Sequence, residues 1–295
     1  MIDLHCHYLP FVDDGADSLE EALALARAAV ANGIRHAALT PHVHPGRYEN
    51  TLSGLKPRFD AFCRLLDSAH VPLQLHLAGE VRLLPESLTL LDEHEVPMLG
   101  TWNDQRVMLL EFPHEQIPPG SLKAVAYLRE RGVLPMIAHP ERNKHVMNNW
   151  RLIEPFVHEG CLLQLTAGSV GGMFGVPAQR TADRLLAAGW VTVMATDAHN
   201  LEHRPPVLAQ GRRVIEHFYG SDAARLLTEI NPAKILGLPY EPLADALPQQ
   251  QPQDVPQRAE SEATGDAERG DAPPPGPSPA QLAAARAGLM PGPRP

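Results

Sequence analysis

Two hydrophobic rhythms alternate along this chain. Short apolar, β-rich runs recur at Ile2–His5, Ile34–His42, Leu73–Glu80, Arg106–Phe112, Val133–His139, Cys161–Thr166 and Trp190–Asp197. Between them lie stretches with helical patterning and readable ends. Ser18 and Glu21 form a capping box for a helix over Leu19–Asn32, which Gly33 stops. Helices over Leu122–Arg131, Arg151–Glu159 and Thr181–Ala188 end at Gly132, Gly160 and Gly189. Seven strands alternating with helices predict an α/β protein with a parallel sheet, and their nearly unbroken apolar character predicts that both faces are covered. No glycine-rich nucleotide fingerprint follows a strand, so an open nucleotide-binding sheet is the weaker choice. A closed, distorted barrel is the stronger one.

The polar interruptions fall at one end of these runs. His5 and His7 end the first, His42 the second, Glu80 the third, Glu111 the fourth and His139 the fifth, while Asp197 and His199 end the seventh. In a parallel barrel the carboxyl ends of all strands converge on one face, where active sites are built. The i, i+2 spacing puts His5 and His7 on one side of their strand, as it does Asp197 and His199, and leaves Cys6 pointing away. Asp14, in the loop after the first strand, can reach the same face. Four carboxylates held that close repel one another and take up protons unless cations sit among them. Imidazole and carboxylate donors without thiolate suit manganese, iron or zinc. Nine donors exceed the needs of one ion, so the pattern predicts two or three divalent ions with positions left for water and substrate.

Such a cluster points to hydrolysis at phosphorus, and a phosphate monoester also needs cationic donors for its remaining oxygens. Arg142, after His139 in HPERN, and Arg204, after His199 in HNLEHRPP, stand where those donors belong. A covalent cysteine phosphatase is excluded, because it requires Cys, five residues, then Arg. The residues six beyond Cys6, Cys63 and Cys161 are Val12, Ala69 and Ala167. No Gly-x-Ser-x-Gly elbow is present either. The glycine-rich stretch Thr166–Gly175 reads equally as a phosphate cradle or a tight turn.

Composition narrows the partners. The chain has 295 residues, with 35 Asp+Glu against 25 Lys+Arg, a formal charge of −10. That balance argues against nucleic-acid binding. No apolar run is long enough to enter a membrane, and the start has no signal-peptide pattern. Three widely spaced cysteines give no disulfide framework and fit a reducing cytoplasm. Residues 243–295 differ in kind: they hold 11 of the 30 prolines and few large apolar side chains. The expectation is a barrel over 1–242 and a disordered Pro-rich tail over 243–295, serving as a solubilising extension or a partner-binding arm. The tail carries 7 acidic and 4 basic residues, which leaves −7 on the barrel.

Together, MIDLHCHYLPFVDDG, TPHVHPGRY, the AGE at 78–80, LLEFP, PMIAHPERN, QLTAGSVGG and ATDAHN resemble the PHP superfamily. More narrowly, they resemble the bacterial manganese-dependent protein-tyrosine phosphatases of capsule and exopolysaccharide loci. The resemblance runs from Met1 to about Leu238. It implies a distorted seven-stranded TIM-like barrel and a trinuclear site held by His5, His7, Asp14, His42, Glu80, Glu111, His139, Asp197 and His199. It implies phosphate binding by Arg142 and Arg204, and direct attack on phosphorus by a hydroxide bridging two ions. It implies, as substrate, the phosphotyrosine-rich tail of a membrane-bound tyrosine autokinase. The same donors would serve a small-molecule phosphatase, such as one acting on histidinol phosphate, or a phosphodiesterase. A scaffold that kept its metals without catalysis is the remaining alternative.

Overall fold

Every one of the seven apolar runs contains strand, and two of them are broken in the middle. The computed structural model describes residues 1–243, and the expectations for the tail concern residues outside these. The strands are β1 (Ile2–Cys6), β2 (His36–Leu39), β3 (His42–Val43), β4 (Gln74–Leu77), β5 (Glu80–Arg82), β6 (Gly100–Trp102), β7 (Gln105–Glu111), β8 (Val133–Ala138), β9 (Leu162–Thr166) and β10 (Val193–Ala195). The run Ile34–His42 splits into β2 and β3 at Thr40-Pro41, where proline has no N–H to give a ladder. Leu73–Glu80 splits at Ala78-Gly79. Gly79 is required there: a Cβ would sit 2.8 Å from Val43 Cγ2 and 2.9 Å from Pro97 Cγ.

Three strands pair in the order β1-β2-β4, and six more in the order β10-β9-β8-β7-β5-β3, all parallel. The two arcs join through a parallel bridge between Cys6 and Ala198, with Asp197 N donating to His5 O at 2.7 Å and His7 N to Ala198 O at 2.8 Å. The result is the TIM-like barrel expected, distorted where its second and third staves are interrupted. β6 is an addition, antiparallel to β7. Asn103 and Asp104 join the two with φ of 48° and 61°, the left-handed pair that a two-residue hairpin demands.

The barrel is filled rather than hollow. Ile2, Leu4, Val107, Leu109, Leu134, Met136 and Val193 form one buried cluster, which Ala233 and Ile235 of the short helix Asn231–Leu236 complete. A second cluster lies between the strands and the surrounding helices and includes Leu25, Leu39, Met108, Leu128 and Leu163. Burying each such side chain contributes about 1.5–3 kcal/mol. These layers leave the carboxyl ends of the strands as the place for polar groups.

The helix over Leu19–Ala31 has the expected cap, with Ser18 Oγ accepting from Glu21 N at 3.1 Å. Ser121–Glu130 also agrees with its expected span. The expected Arg151–Glu159 helix is instead a 3-10 turn at Trp150–Ile153 followed by Glu154–His158, with Pro155 in the first turn. The expected Thr181–Ala188 helix begins earlier, at Val176, where Pro177 opens it. Helices Leu52–Ser68, Pro85–Asp92 and Leu208–Arg225 were not foreseen. No helix among the described residues is long and apolar enough to cross a membrane.

Candidate metal centre

The first strand delivers two imidazoles by breaking its own alternation. Register between β1 and β2 slips between Asp3 and Cys6, a bulge. Ile2 and Leu4 belong to the inner cluster, whereas Cys6 belongs to the outer one, its Sγ donating to Ala38 O at 3.3 Å. The extra residue turns His5 as well as His7 toward the barrel mouth. At two other strand ends, His139 (φ 32°) and Asp197 (φ 52°) hold left-handed conformations. Such backbone costs a non-glycine residue about 1–3 kcal/mol and concentrates at functional sites.

The nine side chains anticipated from sequence converge. His5 Nε2 faces His7 Nε2 at 3.2 Å, and Asp197 Oδ1 lies 3.2 Å from the first and 3.4 Å from the second. Glu80 is central: its Oε2 stands 3.4 Å from His5 Nε2, 3.5 Å from His7 Nε2 and 2.9 Å from His42 Nδ1, while its Oε1 meets His139 Nε2 at 2.8 Å. His42 Nε2 and His199 Nε2 approach Asp14 Oδ1 at 3.2 and 3.6 Å. Glu111 Oε2 lies 4.0 Å from His42 Nδ1. Three overlapping groups could each hold a cation: His7, Asp14, His42 and His199; His5, His7, Glu80 and Asp197; His42, Glu80 and Glu111. Shared His7, His42 and Glu80 link the three into one centre.

Electrostatics tie the set together. Burial works to raise Glu80, but the charges of His5 and His42 and the hydrogen bond from His139 hold it well below the usual carboxylate range. Burial works against charge on His7, yet Asp13 holds it well above its ordinary value. His42 is opposed by burial too, and Glu80 and Asp14 carry it up to about 10. Burial and then the Glu80 charge push Glu111 up to about 7. His139 and His199 fall to about 4, chiefly through burial.

The residues fit divalent cations on one further observation. His42 Nδ1, Glu80 Oε2, Glu111 Oε2 and His199 Nε2 are buried without a hydrogen-bond partner. A buried polar atom left unpaired costs about 1–3 kcal/mol. Four of them, all chelating atoms and all aimed inward, are what a cation centre requires.

Several supporting residues escaped the sequence reading. Asp13 Oδ2 bonds His7 Nδ1 at 2.7 Å and accepts from His42 N at 2.9 Å. Gln164 Oε1 bonds His5 Nδ1 at 3.0 Å. Partners of this kind fix the ring and its tautomer for chelation through the other nitrogen. An Asp directly preceding Asp14, and an isolated Gln in the apolar run Cys161–Thr166, were the available signals.

At the mouth, Arg142 pairs with Asp197 Oδ2, and its guanidinium lies 4.4 Å from the Phe174 ring centroid. Arg204 Nη1 approaches the same oxygen at 3.7 Å. Arg82, which the sequence reading passed over, places Nε 3.1 Å from Glu111 Oε2. Tyr48 stacks on His42 with centroids 5.5 Å apart and also lines a cleft of about 500 Å³ with Pro45, Glu49, Asn50, Glu86 and Leu90. The glycine-rich stretch is a turn: Ala167–Val170 is a short helix, and the amides of Gly171, Gly172, Met173 and Gly175 all donate to carbonyls nearby. All three cysteines are free, and burial raises each thiol, Cys161 to about 12, which disfavours a thiolate nucleophile.

Fold and site define a class: a closed parallel α/β barrel that gathers histidines and carboxylates able to hold cations at the carboxyl face of its strands. The family described as "Capsular polysaccharide synthesis, CpsB/CapC" matches residues 1–237, and this chain belongs to it. It is 34% identical over 229 residues to the tyrosine-protein phosphatase YwqE of Bacillus subtilis, covering 78% of this chain and 89% of that protein. It is 31% identical over 245 residues to the tyrosine-protein phosphatase CpsB of Streptococcus pneumoniae, covering 80% and 98%. A crystal structure from work on those two, described as metal-dependent tyrosine phosphatases, superposes with a TM-score of 0.74 at 33% identity, covering 80% of this chain and 94% of the other. A variant of the organophosphorus hydrolase of Deinococcus radiodurans, at 13% identity and a TM-score of 0.51, shares the fold alone. The resemblance read from the motifs therefore holds at the level of the family.

Proposed function

We propose that this protein is a metal-dependent protein-tyrosine phosphatase, with manganese as its ion and His5, His7, Asp14, His42, Glu80, Glu111, His139, Asp197 and His199 as its ligands. In this reading it acts in the cytoplasm on the phosphotyrosine-bearing tail of a membrane-bound tyrosine autokinase that governs polysaccharide export. The observation that carries the reading is the convergence of all nine chelating side chains, with two guanidinium groups at their edge, in a chain of this family.

Divalent ions held there would lower the pKa of water toward neutrality and neutralise phosphoryl charge. The chain's own residues do the rest. Arg142 and Arg204 both address Asp197 Oδ2, which fixes the guanidinium groups at the mouth and leaves N–H donors free for phosphoryl oxygens. Phe174 beneath Arg142 limits its swing. Asp13 and Gln164 hold His7 and His5 in the orientation that presents Nε2 to the centre. The cleft beginning at Tyr48, which stacks on His42, gives room for groups that flank a phosphorylated residue.

His42→Ala and Glu111→Ala test the assignment. Both are expected to abolish manganese-stimulated turnover of a phosphotyrosyl peptide while circular dichroism keeps the barrel signature. Full activity in both variants contradicts the ligand set. Turnover of the peptide is also compared with that of histidinol phosphate and of a bis-ester, and preference for either of the latter contradicts the substrate.

A further inference from the structure

Arg82 is the residue at the mouth whose surroundings leave most unexplained. It follows Glu80 on β5 at i, i+2, so both side chains leave the same face of the strand, with Arg82 one step nearer the mouth. In the ladder it stands opposite Glu111. Its side chain is only 13% exposed, and its Nε is buried without a hydrogen-bond partner among the described residues. Its ion-pair contact is Nε to Glu111 Oε2 at 3.1 Å, within ion-pair reach but without hydrogen-bond geometry. A guanidinium carries five N–H donors in a planar fork, and leaving the buried Nε–H unmatched is costly. Arg142 and Arg204, in contrast, both lean on Asp197. Arg82 leans on Glu111, a different carboxylate of the centre, on a different strand.

We propose that Arg82 is a third phosphoryl-binding residue, donating its free N–H groups to the phosphoryl group from the Glu111 side while Arg142 and Arg204 hold it from the Asp197 side. The inference rests on the phosphatase reading, since it presumes a phosphoryl group between these carboxylates. Cations on both flanks match the three non-bridging oxygens of a monoester better than a pair on one flank. The short spacing to Glu111 gives Arg82 a second task, holding that carboxylate toward His42 and Glu80.

The test separates the two tasks. Inorganic phosphate is titrated by calorimetry into the manganese-loaded protein and into Arg82→Met and Arg82→Lys, with metal content measured on the same samples. Expected is a loss of phosphate affinity of about tenfold or more in Arg82→Met at unchanged metal content, with partial recovery in Arg82→Lys, which keeps the charge but loses the fork. Unchanged phosphate affinity overturns the proposal. So does a fall in metal content that accounts for the loss, because Arg82 then acts only through Glu111. Phosphate is the product of any monoester, so this readout does not depend on the tyrosyl group. Failure of the unsubstituted protein to turn over the phosphotyrosyl peptide, with phosphate binding still sensitive to Arg82, would refute the substrate and spare the residue.

Discussion

His5 Nε2 and His7 Nε2 face each other at 3.2 Å, and Asp197 Oδ1 stands 3.2 Å from one and 3.4 Å from the other. Three electron-rich atoms sharing one point in a sealed site need a positive charge between them, either protons or a cation. Cation binding is therefore linked to folding. At a manganese concentration a thousandfold above the dissociation constant, linkage supplies about 4 kcal/mol. For a domain of this size that corresponds to a rise in melting temperature on the order of 10 °C. A thermal scan with manganese, against one with a chelator, measures it. Equal midpoints would contradict the linkage.

Protons compete for the same atoms. Burial draws the His42 imidazole down, but Glu80 and Asp14 carry it up to about 10, from an ordinary 6.5. The raised value means that the proton stays on at neutral pH and must leave before a cation takes the ring nitrogen. Competition thus weakens as pH rises toward that value. Apparent manganese affinity is expected to rise by about tenfold per pH unit for each proton displaced, with proton release visible as a dependence of the binding enthalpy on the buffer. Affinity that is flat or falling between about pH 6 and 8 would contradict this.

Asp13 touches the centre only through other residues. Its Oδ2 bonds His7 Nδ1, and Oδ1 accepts from Gly15 N at 3.0 Å. Asp13→Ala frees the His7 ring while leaving every proposed ligand in place. The expected result is a loss of about 10–100-fold in metal affinity or activity, with Asp13→Asn intermediate because it keeps one acceptor. Affinity equal to that of the unsubstituted chain would show that His7 needs no such partner.

Gly15 closes the same loop for a steric reason. A Cβ there would lie 2.1 Å from His7 O and 2.7 Å from His7 Cβ. Backbone cannot give way cheaply at that distance, so Gly15→Ala should cost about 1–3 kcal/mol of stability and displace His7. Denaturant unfolding measures the first effect and metal titration the second. A neutral Gly15→Ala would mean that the loop is not clamped.

The parallel barrel and its mouth were legible because both follow from period and position. Continuous apolar runs of strand length, set between capped helical stretches, read as strands covered on two faces, and a polar residue closing each run then lies at the common end. Helix Leu52–Ser68 was not legible because Gly54 and Pro57, both helix breakers, fall in its first two turns, and only Thr51 Oγ1 accepting from Gly54 N at 3.2 Å marks the start. The hairpin at β6 was signalled by Asn103-Asp104 but hidden by the shortness of the strand. Asp13, Gln164 and Arg82 were missed for another reason. Their roles depend on distances across the barrel, such as the 3.0 Å between Gln164 and His5, which no local spacing reports.

In the proposed reading, one mouth of the barrel grips several cations. Anomalous diffraction at the manganese edge, from crystals grown with that ion, would locate them. Two or three peaks are expected, each within coordination distance of one of the groups His7–Asp14–His42–His199, His5–His7–Glu80–Asp197 and His42–Glu80–Glu111. A map with no peak at the carboxyl ends of the strands, or with manganese bound only elsewhere, would contradict it.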